Sequence, residues 1–346
     1  MDSAAQGGNR LAGDRGIEVA GGEDRQMQAI VYDRYGPPEV LELRRIDRPP
    51  VADDGVLIRV RAASVNPYEW HFMRGEPYLA RLEMGLRPKP GPLGVDVAGT
   101  VETVGSNVTE FQPGDEVFGT CDGALAEFAI GTESSLASKP ANVTFEQAGA
   151  VGIAAFTAIQ CLRDFGKVQS GQKVLINGAA GGVGTFAVQL AKAWGAEVTG
   201  VCSTRNVEMV RSIGAEHVID YTRDDFTTSG QRYDLMLDMI GNQSLSRCRR
   251  VLSPKGTFVM VGGQSGRWIR PMDRVFKTLL LASFVSQKLV LGRAVWRKED
   301  LLVMKELMEA GQVTTVIDRT YPLSQVAEAI RYLEGGHAQG KVVITL

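Results

Sequence analysis

The stretch Lys173-Val174-Leu175-Ile176-Asn177-Gly178-Ala179-Ala180-Gly181-Gly182-Val183-Gly184 carries the most information in this chain. A short apolar run, Lys173–Asn177, enters a glycine-rich turn, and the residues after it, Thr185–Trp194, have helical spacing stopped by Gly195. Glycines at a strand-to-helix junction allow a tight turn, close approach of the backbone to a pyrophosphate, and close packing of the helix on its sheet. The helix start adds free N–H groups and a positive dipole end. The pattern departs from GxGxxG, because Ala179 fills the first position and Gly181 and Gly184 the others. Alone it is weak, and a purely structural glycine loop is the alternative. Its setting between strand and helix makes it a dinucleotide site, with Ala180, Gly181, Gly182, Val183 and Gly184 facing the cofactor.

Strands and helices alternate outward from this turn. Glu197–Cys202 reads as a strand, Val207–Ile213 as a helix stopped by Gly214, and His217–Asp220, Tyr233–Met239 and Thr257–Val261 as strands. That alternation means βαβ units, so an α/β class with a doubly wound parallel sheet of the Rossmann kind. After Glu197–Cys202 comes Ser203-Thr204-Arg205-Asn206, and no carboxylate follows until Glu208. NAD sites place an acid near this point for the ribose 2′-hydroxyl, whereas hydroxyls and an arginine suit a 2′-phosphate. The expected cofactor is therefore NADPH. Ser203 and Thr204 can also simply cap the next helix.

Upstream the pattern is β-rich. Met27–Tyr32, Gly55–Ala63, Asp96–Val104, Gly114–Val117 and Ala124–Ile130 are short runs punctuated by glycine and proline, and Gly55–Ala63 alternates like a half-buried strand. They predict an antiparallel, partly closed sheet. Phe145–Phe165 has helical spacing with an internal Gly152. Late in the chain, Lys298–Ala310 and Leu323–Glu334 read as helices, and Lys341–Leu346 as a last strand that rejoins the N-terminal sheet. The expected domains are 27–147 with 290–346, and 148–289. Residues 1–26 read as a disordered tail or an over-long start.

Composition closes off other classes. The 346 residues carry a net charge of -2, so no basic surface for nucleic acid is demanded. Cys121, Cys161, Cys202 and Cys248 stand far apart with no CxxC pair, which fits thiols in a reducing, cytoplasmic setting and rules out a cysteine-rich zinc lobe. Residues 1–26 have no apolar core of a signal peptide. Leu279–Val285 is too short to span a bilayer.

With these residues in view, the sequence resembles the medium-chain dehydrogenase/reductase superfamily, in its zinc-free quinone oxidoreductase-like branch, over roughly residues 27–346. The resemblance rests on Ala62-Ala63-Ser64-Val65-Asn66-Pro67, Gly94-Val95-Asp96-Val97-Ala98-Gly99, Gly114-Asp115-Glu116-Val117, the glycine-rich turn, Cys202–Asn206, and Gly336-His337-Ala338-Gln339-Gly340-Lys341. It implies a discontinuous GroES-like domain beside the Rossmann domain, with the active site between them. By the same resemblance Tyr221 lies beside the 2′-phosphate, and Ile240, Gly241, Val261 and Gly262 line the cofactor. Phe284 and Val285 lie near the nicotinamide, and Lys341 is a cofactor-side lysine that could equally be a solvated strand-end charge. Zinc members carry a ligand Cys where this chain has Asn66, and His-Glu where it has Val95-Asp96. Valine cannot ligate and asparagine is a poor zinc ligand, so no metal is expected.

Without a Lewis acid, hydride transfer suits an acceptor that delocalises charge itself, a quinone or an α,β-unsaturated carbonyl, flat and conjugated. Asn66 and Tyr68 are the candidates for one catalytic hydrogen bond or proton. Asn66 could equally hold its loop, and Tyr68 could be half-buried with no role. Trp70, Phe72, Met73 and Tyr78 could form an apolar wall or ordinary core. A zinc-free alcohol or ketone dehydrogenase, and an NADPH-binding sensor or interaction protein with little turnover, remain open. The apolar run near Leu279 suits a lipid-soluble quinone or the interface of a homodimer.

Overall fold

The computed structural model of the chain describes residues 25–78, 81–88, 91–262, 272–282 and 285–346. Among them the backbone forms three sheets. The first strand among the described residues is Gln26–Val31, which takes in the last residue of the segment read as a tail, and it pairs antiparallel with Glu42–Asp47.

The six-stranded sheet is parallel throughout. Its order is His217–Asp220, Glu197–Cys202, Lys173–Asn177, Tyr233–Asp238, Leu252–Met260, Lys288–Leu291. From Lys173–Asn177 the chain winds first to one side, then crosses to the other. The switch therefore lies between Lys173–Asn177 and Tyr233–Asp238, where a doubly wound sheet opens a crevice at its carboxyl ends. The strand Lys288–Leu291 carries this sheet across the 289/290 division expected from the sequence.

The seven-stranded sheet runs Ile317–Pro322, Lys341–Thr345, Gly55–Val65, Asp96–Val104, Glu116–Thr120, Leu136–Ser138, with Phe128–Thr132 also on Gly55–Val65. The terminal strand pairs antiparallel with Gly55–Val65, Val342 opposite Val65. The expected return of the chain end to the first sheet is thus observed, and the α/β fold with a β-rich GroES-like part is the one read from the sequence.

Local differences have physical causes. In Gly55–Val65 only Arg59 and Arg61 are exposed, because neighbours pair with the strand on both edges and both faces are covered. Polar-looking alternation there reflects two outward arginines rather than a wet face. Phe145–Phe165 is not one helix but Phe145–Ala148, Gly152–Gln160 and a wide turn Cys161–Phe165. The break covers residues 149–151, and the second helix opens at Gly152, whose absent Cβ would lie 2.0 Å from Asp96 Oδ1. The helix after the glycine turn spans Gly182–Ala193, so it starts within the glycine run rather than after it. One core cluster runs through both larger sheets, joining Phe118 and Ala137 to Phe156, Ile176, Phe186 and Leu301.

Candidate active site

The glycine turn sits at the switch point. Gly178 has φ +95°, a conformation that side chains resist. A Cβ on Gly184 would lie 2.1 Å from the Gly178 carbonyl oxygen, so this residue must be glycine for the helix to sit on the turn. Ala179 is tolerated because Gly200 faces it, with a Cβ there only 3.0 Å from the Ala179 methyl. The helix cap is Gly181, which offers no side chain to the free N–H groups behind it. Those groups can therefore serve an anion.

Across the switch, Asp238 organises the neighbouring strand end. Its Oδ1 accepts from Asn177 Nδ2 at 2.8 Å and from the Gly241 N–H at 3.0 Å. Its carbonyl accepts from the Val261 and Gly262 N–H groups at 3.0 and 3.1 Å, and Arg274 pairs with its Oδ2. Ile240 packs over Gly178. The turns holding Ile240, Gly241, Val261 and Gly262 thus meet the glycine turn. Val285 is half-buried against the cluster behind the sheet, and Phe284 lies outside the described residues.

The corner after Glu197–Cys202 is more acidic than its sequence shows. Thr204 Oγ1 donates to Asp220 Oδ2 at 2.6 Å, and Thr222 Oγ1 donates to Asp220 Oδ1 at 2.7 Å. These hydroxyls, Thr204 foremost, hold the Asp220 carboxyl below its usual range. The carboxylate missing from the strand end is supplied by the next strand, through the pairing of Asp220 with Cys202. Ser203 Oγ accepts from Asn206 Nδ2 at 3.2 Å, Arg205 donates to the His337 carbonyl, and Tyr221 is exposed.

Strand register assembles a buried polar cluster beside the turn. Ser64 faces Asp96 across the sheet, Asn66 follows as the cap of the helix Pro67–Arg74, and Lys341 opens the strand paired at Val65. Asp96 is fully buried. Its Oδ2 accepts from Ser64 Oγ at 2.7 Å, Asn66 Nδ2 at 3.0 Å and Lys341 Nζ at 3.2 Å, while Oδ1 accepts from the Ile153 N–H at 2.8 Å. Lys341 also donates to Asn66 Oδ1. A Cβ on Gly182 would lie 3.1 Å from Lys341 Cδ, so the lysine stem runs under the glycine turn while its ammonium turns away to Asn66 and Asp96.

Glu69 completes this cluster and is not among the candidate residues read from the sequence. Asn66-Pro67-Tyr68-Glu69 is a capping box, with Glu69 Oε2 accepting the Asn66 N–H at 2.7 Å. The spacing was the available signal. Glu69 Oε1 is buried without a partner, and burial followed by the Asp96 charge pushes the carboxyl up to about 8.

Tyr68 and Val95 border a cavity of about 810 Å³ on the outer side of this cluster. The Tyr68 ring lies 4.3 Å from that of Phe72, which also borders it. Burial, then Glu69 and Asp122, raise the Tyr68 hydroxyl above its usual range, so it remains a donor. Met73 is core instead, Trp70 stacks on His71 at 3.7 Å, and Tyr78 lies under Arg81.

Residues 52–141 match the family described as alcohol dehydrogenase GroES-like domain, and 213–344 the family described as zinc-binding dehydrogenase. The human quinone oxidoreductase is 32% identical over 331 residues, 92% of this chain and 98% of that protein. The chain belongs to the medium-chain dehydrogenase/reductase superfamily, in its quinone oxidoreductase-like branch. An Arabidopsis thaliana NADPH-dependent alkenal/one oxidoreductase of the chloroplast is 34% identical over 92% of this chain and 80% of its own. The solved quinone oxidoreductase from Coxiella burnetii superposes with a TM-score of 0.83 at 30% identity, covering 93% of this chain and 99% of that one. As a member of this oxidoreductase superfamily the chain acts with a nicotinamide cofactor, and among the described residues no helix is long and apolar enough to cross a membrane.

The second family's description raises zinc, and the donors at Asn66 and Val95-Asp96 do not fit it. Asp96 already accepts four hydrogen bonds, and the Lys341 ammonium beside it would repel a dication. No cluster of three His, Cys, Asp or Glu groups with metal-holding geometry occurs among the described residues.

Proposed function

We propose that the chain is an NADPH-dependent, zinc-independent reductase of quinones or α,β-unsaturated carbonyls. The observation that carries this reading is the Asp96–Lys341 ion pair closed by Asn66, which puts a fixed ammonium in place of a metal-binding donor set. The names of the quinone and alkenal/one relatives support the substrate class. NADPH, when bound, supplies the hydride.

The residues that would hold it are the Ala180–Gly184 turn and the corner of Ser203, Thr204, Arg205 and Tyr221. Lys341 supports the turn from below. Asn66 is committed through both ends of its amide, so it holds the loop. Tyr68, at the cavity wall, is the residue left to donate to an acceptor oxygen. Turnover with simple ketones should fall roughly 100-fold or more below that with quinones and enones, since nothing polarises an isolated carbonyl. Chelation should leave the quinone rate intact. Equal rates with ketones, or one zinc per chain by metal analysis, would overturn the reading. Tight NADPH binding without turnover of any acceptor would favour a binding protein.

For the preference of NADPH over NADH, Arg205 and Tyr221 are the groups suited to a 2′-phosphate, while Asp220 is occupied by Thr204 and Thr222. Arg205→Ala should weaken NADPH binding by about 10- to 100-fold, the worth of one charge-assisted hydrogen bond, with NADH binding little changed. An unchanged NADPH Kd rejects this corner as the selecting site.

We also read the chain as a homodimer. Lys288–Leu291 is an edge strand, and the adjacent helix Met272–Ala282 exposes Phe276, Leu279 and Leu280 in one stripe. A second copy would cover both. Light scattering should return twice the chain mass, halved by Phe276→Glu; a monomeric wild type removes the proposal. The four free, buried cysteines support a reducing compartment, the cytoplasm, which cell fractionation checks.

A further inference from the structure

We propose that Asp318 is a positioning residue for the cofactor, pinning the turn 335–340 so that the His337 carbonyl holds Arg205 ready for the 2′-phosphate of NADPH. This rests on the NADPH reading above and deepens it, because Asp318 acts through Arg205 without touching the cofactor.

The turn 335–340 follows the helix Val326–Glu334 and meets the cofactor corner at two places. At its far end the buried Gly340 donates its N–H to the Ala180 carbonyl at 2.8 Å. The sheet fixes that end. The Lys341 N–H donates to the Val316 carbonyl at 2.8 Å, and a Cβ on Gly340 would lie 2.3 Å from the same oxygen. In the middle of the turn the His337 carbonyl accepts from Arg205. His337 is exposed, so burial does not set where that carbonyl lies.

Asp318 sets it. Strand pairing runs Ile317 opposite Lys341 and then Arg319 opposite Val342, which leaves Asp318 as the extra residue of a bulge. A bulge re-aims a side chain out of the alternation of its strand. Here Asp318 Oδ2 accepts from the Gln339 N–H at 2.9 Å and from the Tyr332 hydroxyl at 2.6 Å, one donor on the turn and one on the helix before it. The bond to Asp318 raises the Tyr332 hydroxyl above its usual range, so it stays a donor. The Tyr332 ring is held in turn by the Arg319 guanidinium, 4.1 Å from its centre. The Arg205 fork has more N–H donors than the His337 carbonyl uses, which leaves some for a phosphate. A side chain held in advance loses less entropy on binding.

The test measures NADPH and NADH dissociation constants of the full chain by fluorescence titration. Asp318→Ala should raise the NADPH Kd about fivefold, the worth of one side chain ordered in advance, and move the NADH Kd by less than about twofold. Asp318→Asn should recover most of the binding, because its amide oxygen can accept both donors. In an Arg205→Ala background Asp318→Ala should add less than about twofold to the NADPH Kd, since the two changes break one link. Equal weakening of both cofactors overturns the proposal, as does an unchanged NADPH Kd in Asp318→Ala, no recovery in Asp318→Asn, or a full further loss in the double variant. If Asp318→Ala does not fold, Tyr332→Phe carries the comparison. It keeps the ring beside Arg319 and removes only the bond that orients Asp318, and an unchanged ratio of the two Kd values overturns the proposal. An NADPH Kd unchanged by Arg205→Ala alone ends the reading of the corner itself, and the role of Asp318 falls with it.

Discussion

Lys341→Met should destabilise the folded chain by about 3–5 kcal/mol, the cost of leaving a buried carboxylate without its cation. Asp96 is 0% exposed and Lys341 3%, so water cannot replace the lost ammonium. Methionine keeps the stem that packs beneath Gly182 and removes only the charge and the donors to Asn66 and Asp96. The double variant Asp96→Asn with Lys341→Met should recover a large part of the loss, because the orphaned charge goes with the lysine. Urea unfolding measures both. A single-variant loss below about 1 kcal/mol would mean that the pair is not the buried unit described here.

Glu69→Gln should become progressively more stable than the wild type as pH rises from 5 to 8. The Glu69 carboxyl has an ordinary value of 4.5 when the chain is unfolded and about 8 in the fold. The folded state therefore holds a proton that the unfolded state has released, and raising the pH favours unfolding throughout that window. The stability tied to this proton is fully present below pH 4.5 and lost as pH climbs to 8. Each pH unit is worth roughly 1.4 kcal/mol, so between pH 5 and 7.5 the variant should gain on the order of 3 kcal/mol over the wild type. Glutamine can still accept the Asn66 N–H, and any cost of its extra N–H is the same at every pH. Parallel stability curves for the two proteins would show that Glu69 ionises normally.

The sequence made the parallel sheet legible because its strands are short apolar runs separated by glycine-stopped helices, a local pattern. It made the glycine turn legible because strand, turn and helix are contiguous. The destination of the last strand was also legible. What stayed hidden is set by pairing between distant segments. Asp220 is sixteen residues from Thr204, yet strand pairing carries its carboxylate to the Thr204 hydroxyl. Lys341 reads as a cofactor-side cation, and only the 245-residue return to Asp96 shows where its ammonium goes. The need for glycine at 152, where the second helix opens, is likewise invisible until Asp96 is seen to occupy the place of its side chain. Glu69 was half-legible: the capping box is local, but its complete burial is not.

The final strand also joins the two parts of the chain. The Gly340 N–H donates to the Ala180 carbonyl at 2.8 Å, and the same segment then pairs with Gly55–Val65. During synthesis the Gly55–Val65 edge therefore stays open until the strand Lys341–Thr345 has emerged. The glycine turn, made long before, receives its contact from the same stretch, Gly340 and the strand Lys341–Thr345 that follows it. The contact of Gly340 with the turn and the closing of the Gly55–Val65 edge thus come as one late event.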